Sequence, residues 1–235
     1  MEEQLKELSL FTVQELKTIC KSRKITGYSN KKKAELMTLL CKEHTTSPSP
    51  TECTDKYDMF ILAKQYQLHK NYVINRMKLI DDANIKIRLP SIPEDISENI
   101  IKFIIHMKLK DTTTSWSGNT GDLKSSVEGR QECKCFTSDG PISFTPSSNW
   151  DVIYFLDARE WLENKFICYR VVLTRTCNVW QKIKISKTQT FEEQTNQGRR
   201  PRITWKELYP QIKEHCTEIF NDNITSIITQ LNDLQ

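Results

Sequence analysis

Apolar positions recur along this chain with two different periods, and the change from one to the other falls near residue 117. Before it the period is helical. In LSLFTVQELKTICKSRKI, Val13, Leu16, Ile19 and Cys20 share one helix face. Thr12 followed three residues later by Glu15 has the form of a capping box. TGYSN supplies a turn, and KKKAELMTLLCKEH restarts the pattern with Ala34, Met37, Leu40 and Cys41. The spacing predicts a helical hairpin within residues 1–44. TTSPSPTECT has two prolines among Ser and Thr and few large apolar groups, so residues 45–55 read as a linker. Residues 56–88 lack Gly and Pro and predict one or two helices. LPSIPEDISENIIKFIIHMKLK predicts another, with Ile96, Ile100, Ile101, Ile104 and Ile105 in period and Ser97 or Asp95 as cap.

After residue 117 short strands take over. RQECKCF alternates, with Glu132, Lys134 and Phe136 on one face and Gln131, Cys133 and Cys135 on the other. WDVIYFLDA is almost wholly apolar, as expected of a strand buried on both faces. FICYRVVLT and WQKIKIS predict two more strands, and TWKELYPQIKEHCTEIFNDNITSIITQL predicts a helical end. The expected fold class is α/β or α+β, residues 56–235 forming a helical connector and the main domain.

Composition narrows the class. Hydrophobic residues at 37% and charged residues at 27% suit a folded globular chain and not a disordered one. No apolar run is long enough to span a bilayer, and MEEQLKELSL does not read as a secretory signal. Eight scattered cysteines without a CxxC pair are expected to be reduced thiols in an intracellular compartment. Cys133 and Cys135 share a strand face, but no second Cys/His pair stands at zinc spacing, so they read as core, and His69, His106 and His215 as surface or packing residues. The net charge of +4 is compatible with a polyanionic partner.

Candidate chemistry lies in TGDLKSSVEGRQECKCF. Asp122 follows Gly121, nine residues separate it from Glu132, and Glu132 and Lys134 flank one residue on a predicted strand. Period-two alternation puts Glu132 and Lys134 on the same face. Two carboxylates can hold Mg²⁺, which prefers hard oxygens and keeps waters, and a lysine beside them can orient a water or neutralise developing charge. Asp151, eleven residues and then Glu163-Asn164-Lys165 is a second match, but DAREWLENK reads as a turn or short helix. On spacing alone a solvated strand face with an incidental ion pair remains the competing reading of Asp122, Glu132 and Lys134.

Gly-Asp, nine residues and Glu-Cys-Lys resembles the PD-(D/E)XK motif of restriction-endonuclease-like nucleases, with Gly121 where the motif usually has Pro. ECKCFTSDGPISF…WDVIYFLDA resembles small Type II restriction endonucleases, over roughly residues 90–205. The resemblance implies a central mixed sheet flanked by helices, Asp122 and Glu132 as Mg²⁺ ligands with the Cys133 carbonyl beside them, and Lys134 serving the water. Glu98 could add an acidic group, although a solvated helix residue is its blander reading. The N-terminal hairpin is similar to the SAP domain, a small DNA-binding module. Leu10, Val13 and Leu16, then Gly27-Tyr28-Ser29 before Lys31-Lys32-Lys33 and Leu36, carry that likeness. Residues 1–44 hold nine Lys/Arg and six Asp/Glu, a balance of +3. Tyr28, Lys31, Lys32 and Lys33 are thus expected to contact phosphates, which position DNA without reading it. Arg199, Arg200 and Arg202 in NQGRRPRITW are expected to touch DNA as well, with plain surface arginines in an exposed loop as the equally weighted alternative.

The sequence therefore points to a Mg²⁺-dependent, sequence-specific endonuclease acting on double-stranded DNA. A homodimer would supply two active sites for two strands. The linker would raise the local concentration of the nuclease domain on DNA. A structure-specific repair or recombination nuclease, and a non-catalytic DNA-binding protein, are the alternatives. The SAP-like hairpin adds a weak pointer to a eukaryotic or viral setting.

Overall fold

The computed structural model describes residues 12–22, 28–29, 31–42, 50–86, 88–117 and 122–225. Leu10, Gly27, Gly121, residues 45–49 of the expected linker and residues 226–231 of the expected C-terminal helix lie outside them. The chain divides into two compact units, Met1–Tyr57 and Asp58–Gln235.

In the first unit, α1 (Val13–Ser22) begins at the capping box that the sequence suggests. The Thr12 amide donates to Glu15 Oε2 at 2.7 Å, and the Glu15 amide donates to Thr12 Oγ1 at 3.3 Å. α2 (Lys33–Lys42) follows. Leu16, Cys20 and Leu36 are buried together, with Tyr28 and Met37 packed against them. α3 (Pro50–Ala83) already includes residues 50–55, which the proline content assigned to the linker. Pro50 stands at the first helical position, where a missing N–H leaves no bond unmade.

In the second unit α3 buries Tyr66 and Val73 in the core. α4 (Glu94–Ile104) lays Ile96, Ile100, Ile101 and Ile104 onto the sheet. Its N-cap is Pro93, with no side-chain cap. Neither Ser97 nor Asp95 caps it, because both lie inside its first turn, and Ser97 Oγ donates to the Glu94 carbonyl instead. The strands are β1 (Ser115–Trp116), β2 (Leu123–Ser125), β3 (Gly129–Phe136), β4 (Ile142–Ser143), β5 (Val152–Asp157), β6 (Lys165–Val171), β7 (Arg202–Ile203) and β8 (Cys216–Asn223). Six of them form one mixed sheet in the order β1-β2-β3-β5-β6-β8. Only β3 and β5 run parallel. β4 and β7 form a separate antiparallel pair.

β5 is buried along its whole length, as its apolar run requires. Val152, Tyr154 and Leu156 face α3 and α4. Ile153 and Phe155 face a second cluster built with Trp180, Phe191, Leu208 and Ile212. Those residues belong to α5 (Asn178–Gln181), α6 (Phe191–Asn196) and α7 (Trp205–Ile212). The unit is thus a sheet between two helical layers, each large fully buried side chain contributing roughly 1.5–3 kcal/mol.

Two further expectations are corrected. WQKIKIS is not a sheet strand. Its first two residues, Trp180 and Gln181, close a short helix capped by Cys177, and its only strand-like pairing is an isolated bridge from Lys184 to Thr190. Ile183 is buried beside Trp180, so its apolar spacing serves the core and not a ladder. The expected C-terminal helix stops at Ile212, and Cys216–Asn223 is a strand. Ile212, Cys216, Ile219 and Phe220 fit helical spacing, but β8 pairs with β6 from Cys216 to Asn223 with one bulge at Ile219, and that ladder outweighs local propensity.

Candidate active site

The site begins with a strand that stops early. β2 pairs with β3 only from Leu123↔Gln131 to Ser125↔Gly129. Beyond Gln131 that edge of β3 has no β2 partner. Asp122, one residue before β2, fills the first open place. Its Oδ2 accepts the Cys133 amide N–H at 2.7 Å. In an extended strand a residue's N–H and C=O project to the same edge, so the Cys133 carbonyl faces this edge too.

Glu132 and Lys134 share a strand face, as their spacing requires. Lys134 Nζ lies 2.6 Å from Glu132 Oε1, with the glutamate side chain 3% exposed and the lysine 19%. Burial raises the Glu132 carboxyl above its usual range, Lys134 opposes that shift, and Asp122 adds to it. Burial alone would lower the Lys134 ammonium, but Glu132 and then Asp122 outweigh it and the ammonium is raised. Glu98 on α4 is pushed up to about 7, first by burial and then by Asp122, Glu94 and Glu132, against Lys134.

All of these groups line one cleft of about 510 Å³, with Arg88, Glu94, Ser148 and Arg202 among its other walls. Arg202 stands on β7, opposite Ser143. Of the residues singled out from sequence, Glu98, Asp122, Glu132, Cys133, Lys134 and Arg202 are therefore brought together. Arg199 and Arg200 are exposed but do not line the cleft. Tyr28, Lys31, Lys32 and Lys33 belong to the first unit, where Lys31 lies 3.9 Å from Glu35. Arg88 and Ser148 escaped the sequence reading. Arg88 had a faint signal in its basic, proline-flanked loop, and Ser148 had none.

Chemistry in this cleft is carboxylate chemistry. Burial pushes the Cys133 thiol well above its ordinary value and Cys135 up to about 12, which disfavours the thiolate that a cysteine nucleophile needs. Among the described residues no three His, Cys, Asp or Glu side chains are gathered to hold one ion. Asp122 and Glu132 are hard oxygen donors of the kind that Mg²⁺ takes, one or two at a time, beside waters and phosphate oxygens. The mutual repulsion of Glu98, Asp122 and Glu132 around one half-buried lysine is the electrostatic setting a divalent cation relieves.

A family model described as Bsp6I restriction endonuclease matches residues 54–212, which include the whole cleft. The chain is 28% identical over 112 residues to the Type II restriction enzyme Bsp6I of Bacillus sp. (strain RFL6), a stretch covering 48% of this chain and 61% of that one. It thus spans less than two thirds of that relative's length. No solved structure matches the chain.

Proposed function

The chain belongs to the Bsp6I restriction endonuclease family, and from that premise we propose that it is a Mg²⁺-dependent, sequence-specific endonuclease of Type II restriction type. Its substrate is double-stranded DNA, and the reaction is phosphodiester hydrolysis in a PD-(D/E)XK site. The observation that carries this reading is the buried Glu132–Lys134 pair at 2.6 Å beside Asp122, on the open edge of β3.

In this reading Asp122, Glu132 and the Cys133 carbonyl hold Mg²⁺. When bound, the ion supplies charge to the scissile phosphate and acidifies a water. Lys134, held by Glu132, orients that water and offsets charge gathering on the phosphate oxygens. The water oxygen bonds to phosphorus as the bond to the leaving oxygen breaks; the water's proton leaves to solvent, and the leaving oxygen takes a proton from solvent to become a hydroxyl. Arg202 grips a phosphate at the cleft wall, and Arg199 and Arg200 extend that contact outside it. The SAP-like hairpin adds phosphate contacts from Tyr28, Lys31, Lys32 and Lys33, which raise affinity without reading sequence. Cutting both strands in one encounter calls for two copies of the chain.

The test incubates the wild type, Glu132→Ala and Lys134→Ala with long duplex DNA, in Mg²⁺ or in EDTA, and measures duplex binding separately. Discrete Mg²⁺-dependent fragments, lost in both variants with binding retained, are the expected result. Cleavage confined to flaps, junctions or mismatches would replace this reading with a structure-specific nuclease. Binding without cleavage by any of the three proteins would leave a DNA-binding protein.

A further inference from the structure

Asp122 reaches β3 by a short hairpin. β2 is three residues long and its outer neighbour β1 only two, too little pairing to hold a register unaided. Something else must keep the hairpin in place, since a slip of one residue would carry Asp122 away from the Cys133 amide.

The turn between β2 and β3 contains Glu128. Its side chain is 8% exposed, although it carries a charge and sits in a polar turn. Arg170 on β6 donates to Glu128 Oε1 from Nε at 2.6 Å, with Nη2 also 2.6 Å away. Gln131 Nε2 on β3 donates to Oε2 at 2.9 Å. Tyr154 on β5 donates its hydroxyl to the same oxygen. One carboxylate thus ties the hairpin turn to three strands.

The partners adjoin the site. Gln131 directly precedes Glu132. Tyr154 is the register partner of Cys133, whose amide holds Asp122. Arg170 is in turn opposite Tyr154. A buried ion pair is a poor source of net stability, because desolvation offsets much of its attraction. Its distinctive product is geometry, four donors converging on two oxygens.

We propose that Glu128 is a positioning residue of the nuclease site, locking the β2–β3 hairpin so that Asp122 and Glu132 stand at the separation one Mg²⁺ requires. The proposal rests on the nuclease reading above. Glu128 does not line the cleft.

The experiment uses the full chain as wild type, Glu128→Gln and Tyr154→Phe. The second variant removes one of the bonds to Glu128 and keeps the buried ring. Mg²⁺ affinity is measured by calorimetry without DNA, the Mg²⁺ concentration for half-maximal cleavage is measured with DNA, and duplex binding is measured in EDTA. The expected result is an affinity loss of roughly tenfold or more in Glu128→Gln, a smaller loss in Tyr154→Phe, and unchanged binding in EDTA, the pattern of outer-shell changes at metal sites. Cleavage by Glu128→Gln should recover at high Mg²⁺. If both variants melt earlier but keep wild-type Mg²⁺ affinity, Glu128 is a stability element and the proposal fails. If Glu128→Gln does not fold, Tyr154→Phe decides by the same criterion. A wild type that neither binds Mg²⁺ nor cleaves overturns the nuclease reading, and this proposal with it.

Discussion

Two stretches of this chain carry an aspartate, a gap and then Glu-x-Lys, and they come to opposite ends. Glu132 and Lys134 are alternate residues of a straight strand, paired at 2.6 Å and buried. Asp122 joins them through the Cys133 amide. In the second stretch Glu163 closes a 3-10 turn, Trp161–Glu163, and Asn164 between the two charges is left-handed at φ 62°. Period two is lost there. Lys165 turns to Glu160 at 2.9 Å, and Asp151 is held by Arg130 at 3.1 Å. Residue types and gaps mark a site only where the residue between them is extended.

The sharpest way to break the comparison is to remove each glutamate in turn. Glu132→Ala should lower Mg²⁺-dependent cleavage by on the order of 10³-fold or more. Glu163→Ala should stay within roughly twofold, as for a surface position. Equal losses in one cleavage assay would mean that the wrong stretch had been chosen.

Gly129 links the two stretches. Its φ is +73°, and a Cβ there would stand 2.6 Å from Asp151 Oδ2. Gly129→Ala should therefore destabilise by about 1–3 kcal/mol in denaturant unfolding. A loss near zero would show that the hairpin start can shift freely.

Asp151 gives a smaller and pH-dependent effect. Hydrogen bonds from the Arg130 side chain and amide hold its carboxyl below the usual range. A carboxyl depressed in the folded state stabilises above its unfolded pKa, and that contribution is lost as pH falls through the folded value. The pair is more than a third exposed, so Asp151→Asn should cost about 1 kcal/mol at most near neutral pH. The gap between variant and wild type should close as pH falls below about 4. A gap that widens in acid would contradict the assignment.

Lys165→Ala should be the quietest change. Its partner Glu160 is exposed, so neither the melting temperature nor the cleavage rate should move measurably. A clear loss of cleavage would give the second stretch a role that its geometry denies.

Much of the fold could be read from local pattern. The apolar run around Val152–Asp157 meets core on both faces. The alternation in RQECKCF foretells which side chains of β3 face together. Residues 216–223 read as helix because Cys216, Ile219 and Phe220 stand at helical spacing, and the partner strand that makes them a strand is far away in sequence. Residues 50–55 were misread because a proline that breaks a helix interior is welcome at its first position. The three arginines of NQGRRPRITW looked equivalent, and only the pairing of β7 with β4 puts Arg202 at the cleft. Glu128 carries no local signal at all, since Tyr154 and Arg170 come to it from other strands.

The sequence by itself determined which residues alternate, which segments bury two faces, and which carboxylates and lysine could share a strand face, because periodicity is a property of neighbours along the chain. Only the tertiary structure decided that β2 ends beside Gln131 and leaves the edge of β3 open, that α4 brings Glu98 to that edge, and that Glu128 ties three strands together. Those facts depend on which strand lies beside which, and hydrogen-bonded pairing between distant segments leaves no mark in the spacing of either one.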